Sequence, residues 1–467
     1  MHHDTEQNTA QNAGQGAAME GERLANLEQK ALSRIPDSMR QSWQAIAFIW
    51  IGTMICIPML MVGGILAGAM SLAGIITATA IGFLICAIVM VFGGMQGTDL
   101  GLPSTMCATK AFGDRGSSFV TSLVVFIAQL GWFGVQTAVC ALAFSGLMAH
   151  VGVEGFPFWA SCVIWGVVML FTAVYGFKFM KILNYIAVPL LLIMCIYGIV
   201  YSVNTVGWEA VSGGENLMPM SAAISLIIGL FAVGTVINAD FTRYSKSRKA
   251  TGMATLLGVV PAAIVMIFAG AIMARGTGEY DISAIFANIG IPAVGMIALI
   301  LATWTTNTSN AYTAALALMK VLSLADKKRP IVTMICGAAG IIIAIAGLAD
   351  GLTVFVTILG SFVPPIAGAV LADYWIVGRG KPGNWHPIKG VNFCGIVSWA
   401  VGGVLALLFG TTIPTQPLSA VGNYFSPALA GILIACGLYV LLNAVAGKGA
   451  FGGKGEISIE EMEARLK

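Results

Sequence analysis

Residues 303–310 read Thr-Trp-Thr-Thr-Asn-Thr-Ser-Asn, inside an otherwise apolar run from Ile291 to Leu324. That run is long enough to cross a bilayer, which takes about 20 mostly apolar residues in a helix. A hydroxyl or amide at that depth costs about 1–3 kcal/mol when nothing bonds to it. Ser and Thr can bond back to their own helix, and Asn can join neighbouring helices. Seven such side chains in eight residues instead favour partners from outside the protein, namely an ion and a polar ligand.

The chain as a whole has the composition of an integral membrane protein. Of its 467 residues, 58% are hydrophobic and 10% are charged, and the mean hydropathy is +0.88. Soluble domains carry about 25% charged residues. We therefore predict an all-α membrane protein with twelve transmembrane helices, at residues 43–70, 72–95, 118–148, 157–177, 182–204, 217–240, 250–274, 292–323, 331–348, 350–377, 392–411 and 424–447.

The basic residues predict the orientation of these spans. If the N-terminus is cytoplasmic, all of the 24 Lys and Arg residues except Arg275 fall in inner loops or tails. Such a bias is the positive-inside rule, and it predicts a cytoplasmic (inner) membrane protein with both termini in the cytoplasm. The lipid bilayer is thus an expected partner. A nucleic-acid partner is not expected, because the basic residues are dispersed over loops that face anionic lipid.

Two spans carry helix-breaking residues at comparable places. The first reads IWIGTMICIPMLMVGG at 49–64, and the sixth reads IIGLFAVGTVINADF at 227–241. Membrane helices tolerate such interruptions where a cavity or ligand satisfies the freed backbone groups, although glycines also serve close packing. Broken helices five spans apart indicate a 5+5 inverted repeat with a site at the midplane. The predicted organisation is a largely disordered tail (1–41), two repeats (42–204 with helices 1–5, 205–378 with helices 6–10), helices 11 and 12 (379–447) and a cytoplasmic tail (448–467).

One side of the eighth span offers oxygen ligands for a cation. The adjacent hydroxyls of Thr305 and Thr306 and the carbonyl of Ala302, one turn earlier, point the same way. Carbonyls of Gly52 and Ile55, from the broken first span, would complete the shell if they face this cluster. A hard cation without carboxylate ligands suits Na⁺ better than Ca²⁺ or Mg²⁺. Carboxylates are also missing near the centres of the predicted spans, which argues against a relay of buried acids.

Residues that suit a flat organic ligand lie in the third, sixth and eighth spans. Trp132 and Gln136 are four residues apart, on one helix face. An indole can stack on a planar ring, and a Gln amide complements the edge of a cyclic amide or amidine. Phe231 could cover the other face of that ring, and Asn307 and Asn310 add donors and acceptors. Alternatively, Trp132 is an interfacial anchor and Gln136 joins two helices.

The absence of fixed charge in the predicted core favours a neutral heterocycle over an anion, which would normally need Arg or Lys. A passive channel would need a continuous polar lining, whereas here the polar residues cluster at one depth. A membrane enzyme would need a nucleophile–base pair or a metal set, and none is recognisable. We therefore expect a secondary active transporter, not an enzyme, acting as a monomer with Na⁺ as coupling ion and without an organic cofactor.

Four segments in this order resemble the nucleobase–cation symporter-1 family, most closely its cytosine permease branch. They are Gly-Trp-Phe-Gly at 131–134, Ala-Asp-Phe-Thr-Arg-Tyr at 239–244, Trp-Thr-Thr-Asn at 304–307 and Pro-Pro-Ile-Ala-Gly-Ala-Val-Leu-Ala-Asp-Tyr at 364–374. The resemblance covers nearly all of residues 40–445. It implies the leucine-transporter fold and transport of nucleobases, hydantoins and related compounds with Na⁺ or H⁺.

The resemblance also implies roles for individual positions. It makes Trp132, Phe231 and Asn307 substrate contacts, and it makes five residues the sodium shell: Gly52, Ile55, Ala302, Thr305 and Thr306. Two positions depart from typical cytosine permeases. Gln136 stands where they have Gly and hydantoin-type members have Gln, and Val233 replaces a small polar residue.

The predicted function is therefore sodium-coupled symport of a neutral nucleobase-like ring, such as cytosine or another pyrimidine or purine, by alternating access. The alternative is a hydantoin- or allantoin-type transporter, or a transporter of thiamine-precursor pyrimidines, with the proton as a second candidate for the coupling ion.

Overall fold

The computed structural model describes residues 34–175, 177–322, 324–325, 328–410, 417–447 and 449–466. Most of the predicted N-terminal tail lies outside this part of the chain. Within it the structure is helical, and β-pairing is limited to the isolated bridges Gln41–Ser245 and Ile388–Glu456. A helix, or a bent pair of helices, stands at each of the twelve predicted positions.

In chain order the spans are formed by Trp43–Met54 with Ile57–Ala67, Leu72–Leu100, Asp114–His150, Phe158–Tyr175, Phe177–Val206, Met220–Leu230 with Ala232–Thr242, Arg248–Thr277, Pro292–Val321, Arg329–Ile345, Leu352–Phe362 with Pro364–Leu371 and the π-helical turn Ala372–Val377, Phe393–Phe409 and Pro427–Ala446. In the described part of the chain, six helices are long and apolar enough to cross a membrane, or eight if each bent pair counts as one span. The eighth span is not among them, because its polar cluster lowers its hydropathy.

The prediction that the first span is broken is confirmed. Its first half ends at Met54, its second half begins at Ile57, and the two axes differ by 53°. Cys56 between them is extended, with φ −145° and ψ 157°. Pro58 lies in the first turn of the second half, where its missing N–H leaves no helical hydrogen bond unmade. Pro58 thus both indicates the break in the sequence and favours the start of a new helix there.

The predicted break in the sixth span is also confirmed, at Phe231. The halves on either side differ by 42°, and Phe231 itself leaves the helical region with φ −111° and ψ 22°. Gly234 makes room for the aromatic ring, because a Cβ there would lie 2.3 Å from it. Glycine in this span thus serves close packing beside the break as well as the break itself.

Spans one, two, six and seven pack together as a first helix group, and Asn238 of the sixth span bonds to each of the other three. Its Oδ1 accepts from Trp50 Nε1 at 3.1 Å. Its Nδ2 donates to the Met90 carbonyl at 2.6 Å and to Thr255 Oγ1 at 3.1 Å. A single buried amide therefore fixes the register of all four spans.

Spans three, four, eight and nine form a second helix group, in which the third and eighth spans share the most extensive interface. Asn307 Nδ2 donates to the Phe133 carbonyl at 3.0 Å and to Thr137 Oγ1 at 2.9 Å. Trp304 Nε1 donates to Thr172 Oγ1 on the fourth span at 3.1 Å. Part of the polar cluster at residues 303–310 thus holds this group together.

The predicted C-terminal tail contains a docked helix, Ile459–Leu466. We call residues 454–466 the C-terminal segment. Met462 is 0% exposed and packs in a cluster with Leu100, Leu102, Met106, Cys107, Ala239, Tyr374 and Trp385. Arg465 forms an ion pair with Asp114 at the start of the third span. Hydropathy did not reveal this element because it is short and polar on one side.

Arg275, the only basic residue predicted on the outer side, satisfies backbone groups there. Its guanidinium donates to the carbonyls of Val211 at 2.9 Å, Gly213 at 2.5 Å and Met70. These carbonyls lie in the loops after the first span and before the sixth. A structural role therefore explains the one exception to the charge bias.

Candidate functional site

Trp132 is buried on the third span and faces the tenth. Its ring makes an edge contact with Phe355, with ring centroids 5.4 Å apart and planes at 77°. Gly131 permits this approach, since a Cβ there would lie 2.3 Å from the Phe355 ring. The contact holds the indole at a fixed tilt without covering it with a parallel ring, so the indole remains suited to stacking.

Gln136, one helical turn further along, is 1% exposed, and its Oε1 is buried without a hydrogen-bond partner. Buried polar groups are paired in the great majority of cases, and an orphaned acceptor costs about 1–3 kcal/mol. Because this acceptor lies one turn from Trp132, a ligand with an N–H donor and a flat ring would satisfy both residues.

Phe231 lies at the break of the sixth span and belongs to an aromatic wall of the first helix group. Its ring centroid is 5.7 Å from that of Trp50 and 5.8 Å from that of Phe83. Among the described residues no ring contact joins Phe231 to Trp132. The two halves of the predicted ring sandwich therefore come from different helix groups.

Asn307 and Asn310 are buried and bonded to each other. Asn310 Nδ2 donates to Asn307 Oδ1 at 3.1 Å, while Asn307 Nδ2 is directed at the Phe133 carbonyl and Thr137 of the third span and at Met169 Sδ of the fourth. Asn307 therefore holds the third and eighth spans together, and a ligand contact from this pair would come mainly through Asn310. The predicted ligand roles of both residues stay predictions.

The predicted cation ligands on the eighth span form one cluster. Thr305 Oγ1 and Thr306 Oγ1 both donate to the Ala302 carbonyl, at 2.8 and 3.1 Å. Each hydroxyl oxygen keeps lone pairs for a cation. The described residues contain no group of three or more His, Cys, Asp or Glu that could hold a metal, so oxygen donors of this neutral kind are the candidates.

Gly52 and Ile55, the other predicted cation ligands, lie on the first span. Gly52 is exposed, and nothing lies within 4 Å of the position that a Cβ would take there. Within the described chain no hydrogen bond joins either residue to Thr305 or Thr306. The predicted cation ligands are therefore divided between the two helix groups in the same way as the residues of the predicted ring sandwich, and their role stays a prediction.

Sequence reasoning missed a charged network at the predicted cytoplasmic side. Arg248, at the start of the seventh span, pairs with Asp99 at the end of the second, with Nη2–Oδ2 at 2.6 Å. Tyr374 of the tenth span donates to the same carboxylate at 2.6 Å. In the sequence, Asp99 and Arg248 are visible as opposite charges near the ends of two predicted spans. The sequence does not show that these two spans are neighbours.

The comparisons with known proteins agree with this geometry. The family described as "Permease for cytosine/purines, uracil, thiamine, allantoin" matches residues 34–448. The cytosine permease of Escherichia coli is 26% identical over 374 residues, which are 79% of this chain and 86% of the relative. The hydantoin permease of Microbacterium maritypicum is 28% identical over 405 residues, which cover 79% and 81% of the two chains.

Among solved structures, the inward-facing conformation of Mhp1 is similar with a TM-score of 0.77 and 23% identity, over 93% of this chain and 97% of that one. The closed conformation, a nucleobase–cation-symport-1 family transporter with bromovinylhydantoin bound, has a TM-score of 0.72 and 24% identity, over 93% and 98%. The chain therefore belongs to the nucleobase–cation symporter-1 family of permeases, and it is a multi-pass membrane transporter of the leucine-transporter type rather than an enzyme.

Proposed function

We propose that the protein imports a neutral, planar heterocycle together with Na⁺. The observation that carries the proposal is the buried Oε1 of Gln136, which has no partner and lies one helical turn from Trp132. A ring N–H of a cyclic amide or amidine would donate to this oxygen while the ring stacks on the indole. Charged groups are not part of this constellation, which fits a neutral guest.

The division of the proposed cation ligands between the two helix groups supports sodium coupling. Ala302, Thr305 and Thr306 are already assembled on the second helix group, whereas Gly52 and Ile55 belong to the first. An ion that binds all five oxygens favours the conformation in which the two groups approach each other. If the heterocycle binds best to that same conformation, each ligand raises the affinity for the other, as linkage requires.

The candidate substrates are nucleobases such as cytosine and rings of the hydantoin or allantoin type. Relatives named for cytosine and for hydantoin match this chain to similar extents, and a relative from Bacillus subtilis is named for allantoin. A hydantoin presents alternating N–H and C=O groups, and the Gln136 amide can both accept from and donate to such an edge. Gln136 is thus the observation that favours the hydantoin-type alternative; pyrimidine precursors of thiamine are a further candidate.

Protons are the alternative coupling ion, and the buried Asp373 is the observation that favours them. It is 1% exposed and accepts a hydrogen bond from Tyr439 at 2.9 Å. Because it lies in the π-helical turn of the tenth span, away from Trp132 and Thr306, we favour Na⁺. We further propose that the protein is a monomer of the inner membrane with both termini in the cytoplasm.

Uptake by proteoliposomes tests the function. Thermal-shift screening against nucleobases and hydantoins, in sodium or potassium, first identifies a ligand. We expect that ligand to accumulate above its external concentration only under an inward sodium gradient. Equilibration without accumulation would instead indicate a channel, and accumulation driven by a proton gradient alone would overturn sodium coupling.

Trp132→Ala tests the site in the same preparation. We expect calorimetric binding of the ligand to be abolished, because the stacking surface is lost. The exposed Trp208→Ala is the matched control, and it should bind like the unaltered protein. Unchanged affinity in Trp132→Ala would remove this residue from the site.

A further inference from the structure

A cavity of about 590 Å³ opens between the start of the third span, the end of the eighth span and the C-terminal segment. Three basic side chains line it, Arg115, Lys320 and Arg465, together with the single carboxylate of Asp114. The cavity lies on the side of the molecule that the positive-inside rule assigns to the cytoplasm. It is separate from the residues that bind the heterocycle and the cation in the proposed function.

Asp114 is fully engaged and does not compensate the charges of Arg115 and Lys320. Its Oδ2 accepts from Arg465. Its Oδ1 accepts from the backbone N–H groups of Gly390 at 2.6 Å and Arg115 at 2.8 Å. Within the described chain neither Arg115 nor Lys320 forms a salt bridge. The Asp240 carboxylate interacts electrostatically with Lys320 without forming a salt bridge with it. It accepts a hydrogen bond from the backbone N–H of Ser104.

Exposed apolar side chains border the same cavity. Phe119, which lines it, is 52% exposed, and Leu322, next to the lining residue Val321, is 56% exposed. In a chain that spans a membrane, such side chains at the end of a span lie against acyl chains. Two cations that form no salt bridge within the described chain, beside exposed apolar side chains, therefore match a headgroup with its attached chains, which a soluble anion does not offer.

We propose that this cavity binds an anionic phospholipid. The phosphodiester lies between Arg115 and Lys320, the Ser118 hydroxyl donates to it, and the acyl chains follow Phe119 and Leu322. Basic pockets between membrane helices on the cytoplasmic side are suited to such headgroups. The bound lipid joins the third and eighth spans to the C-terminal segment, because Arg465 lines the same cavity.

Native mass spectrometry of the full-length protein in detergent tests the proposal, with phosphatidylglycerol as the probe and phosphatidylcholine as the neutral comparison. Each basic residue near the headgroup contributes about 1 kcal/mol, so we expect a preference for phosphatidylglycerol of about tenfold or more. Arg115→Gln combined with Lys320→Gln should remove it. Lys381→Gln, an exposed cation on the same side, should leave it unchanged.

Single variants and competition with inorganic phosphate complete the test. Arg115 is exposed, so Arg115→Gln alone should not affect folding and should lower the preference by about fivefold, which corresponds to about 1 kcal/mol. Lys320→Arg should retain it. An unchanged preference in Arg115→Gln and in the double variant would overturn the proposal. Displacement of phosphatidylglycerol by millimolar inorganic phosphate would also overturn it, because the site would then recognise a free anion and not a lipid.

Discussion

At the scale of single residues, Gln136 combines burial with an acceptor that the protein leaves unpaired. We expect Gln136→Met to raise the stability of the ligand-free protein by about 1 kcal/mol, because the orphaned acceptor is removed. The same change should weaken binding of the heterocycle by about tenfold or more, because a hydrogen bond worth about 1.5 kcal/mol is lost. Thermal unfolding and calorimetry measure the two effects.

Gln96→Met is the matched control for that prediction. Gln96 is also a buried amide with an unpaired Oε1, but its Nε2 donates to the Cys107 carbonyl at 3.0 Å, away from Trp132. It should lose stability and keep its affinity for the ligand. Lower stability with unchanged affinity in Gln136→Met would contradict a role for Gln136 in binding.

Thr306 supplies one of the proposed cation ligands. Thr306→Ala removes that oxygen, and we expect the sodium affinity to fall by about tenfold and uptake to fall with it, since a hydrogen bond or ligand of this kind contributes about 1–3 kcal/mol. Thr77→Ala removes a hydroxyl with the same type of intrahelical bond on an exposed face of the second span. It should behave like the unaltered protein. Uptake that keeps its sodium dependence in Thr306→Ala would refute the assignment.

Gln136 and Asn307 also show the limit of prediction at this scale. In the sequence both are amides in the middle of a span, and both were predicted to contact the ligand. In the structure Asn307 Nδ2 donates hydrogen bonds to the Phe133 carbonyl and to Thr137, whereas the Gln136 oxygen is unpaired. Which amide is satisfied depends on the register of the third span against the eighth, and a single sequence does not contain that register.

At the scale of helices, Asn238 is the residue on which the first group depends. Asn238→Ala leaves Trp50 Nε1 and the Met90 carbonyl without their partner, so we expect a loss of about 2–3 kcal/mol. Thermal unfolding in detergent measures it. Asn288→Ala, on an exposed position of a short helix with one local bond, should change stability little. Equal effects of the two substitutions would contradict the role of Asn238 as the common partner.

The helices and both breaks could be predicted, because apolar length, glycine and proline are local features of the sequence. Their ends were less predictable. The second span continues to Leu100 where hydropathy predicted an end at 95, and short helices follow at Ser104–Cys107 and Thr109–Phe112. Leu100 and Met106 belong to the same buried cluster as Met462, so their surroundings include a residue from a distant part of the sequence, which local hydropathy does not reveal.

At the scale of the whole molecule, each proposed ligand site draws residues from both helix groups. Trp132, Gln136 and Thr306 belong to one group, whereas Phe231 and Gly52 belong to the other. If these sites are correct, movement of one group against the other would open and close both together, which is the geometry of alternating access around a central site. Internal polar contacts, such as those of Asn238, keep each group intact during such a movement.

The C-terminal segment is a second feature of the whole molecule that can be tested. Met462→Asp places a charge in a buried apolar cluster, so we expect the segment to detach and its backbone amides to exchange hydrogen much faster. Hydrogen–deuterium exchange of residues 454–466 measures this. Glu460→Gln, at an exposed position of the same helix, should leave exchange unchanged. Fast exchange in the unaltered protein would show that the segment is not docked.

The docking of Met462 has a consequence for biogenesis. Leu102 and Met106, which share its buried cluster, leave the ribosome when only two spans have been made, whereas Met462 follows after the twelfth. The cluster gains Ala239, Tyr374 and Trp385 as later spans are made, and it stays incomplete until Met462 is added. Until translation has passed residue 462, the incomplete cluster leaves apolar surface that chaperones and proteases can bind.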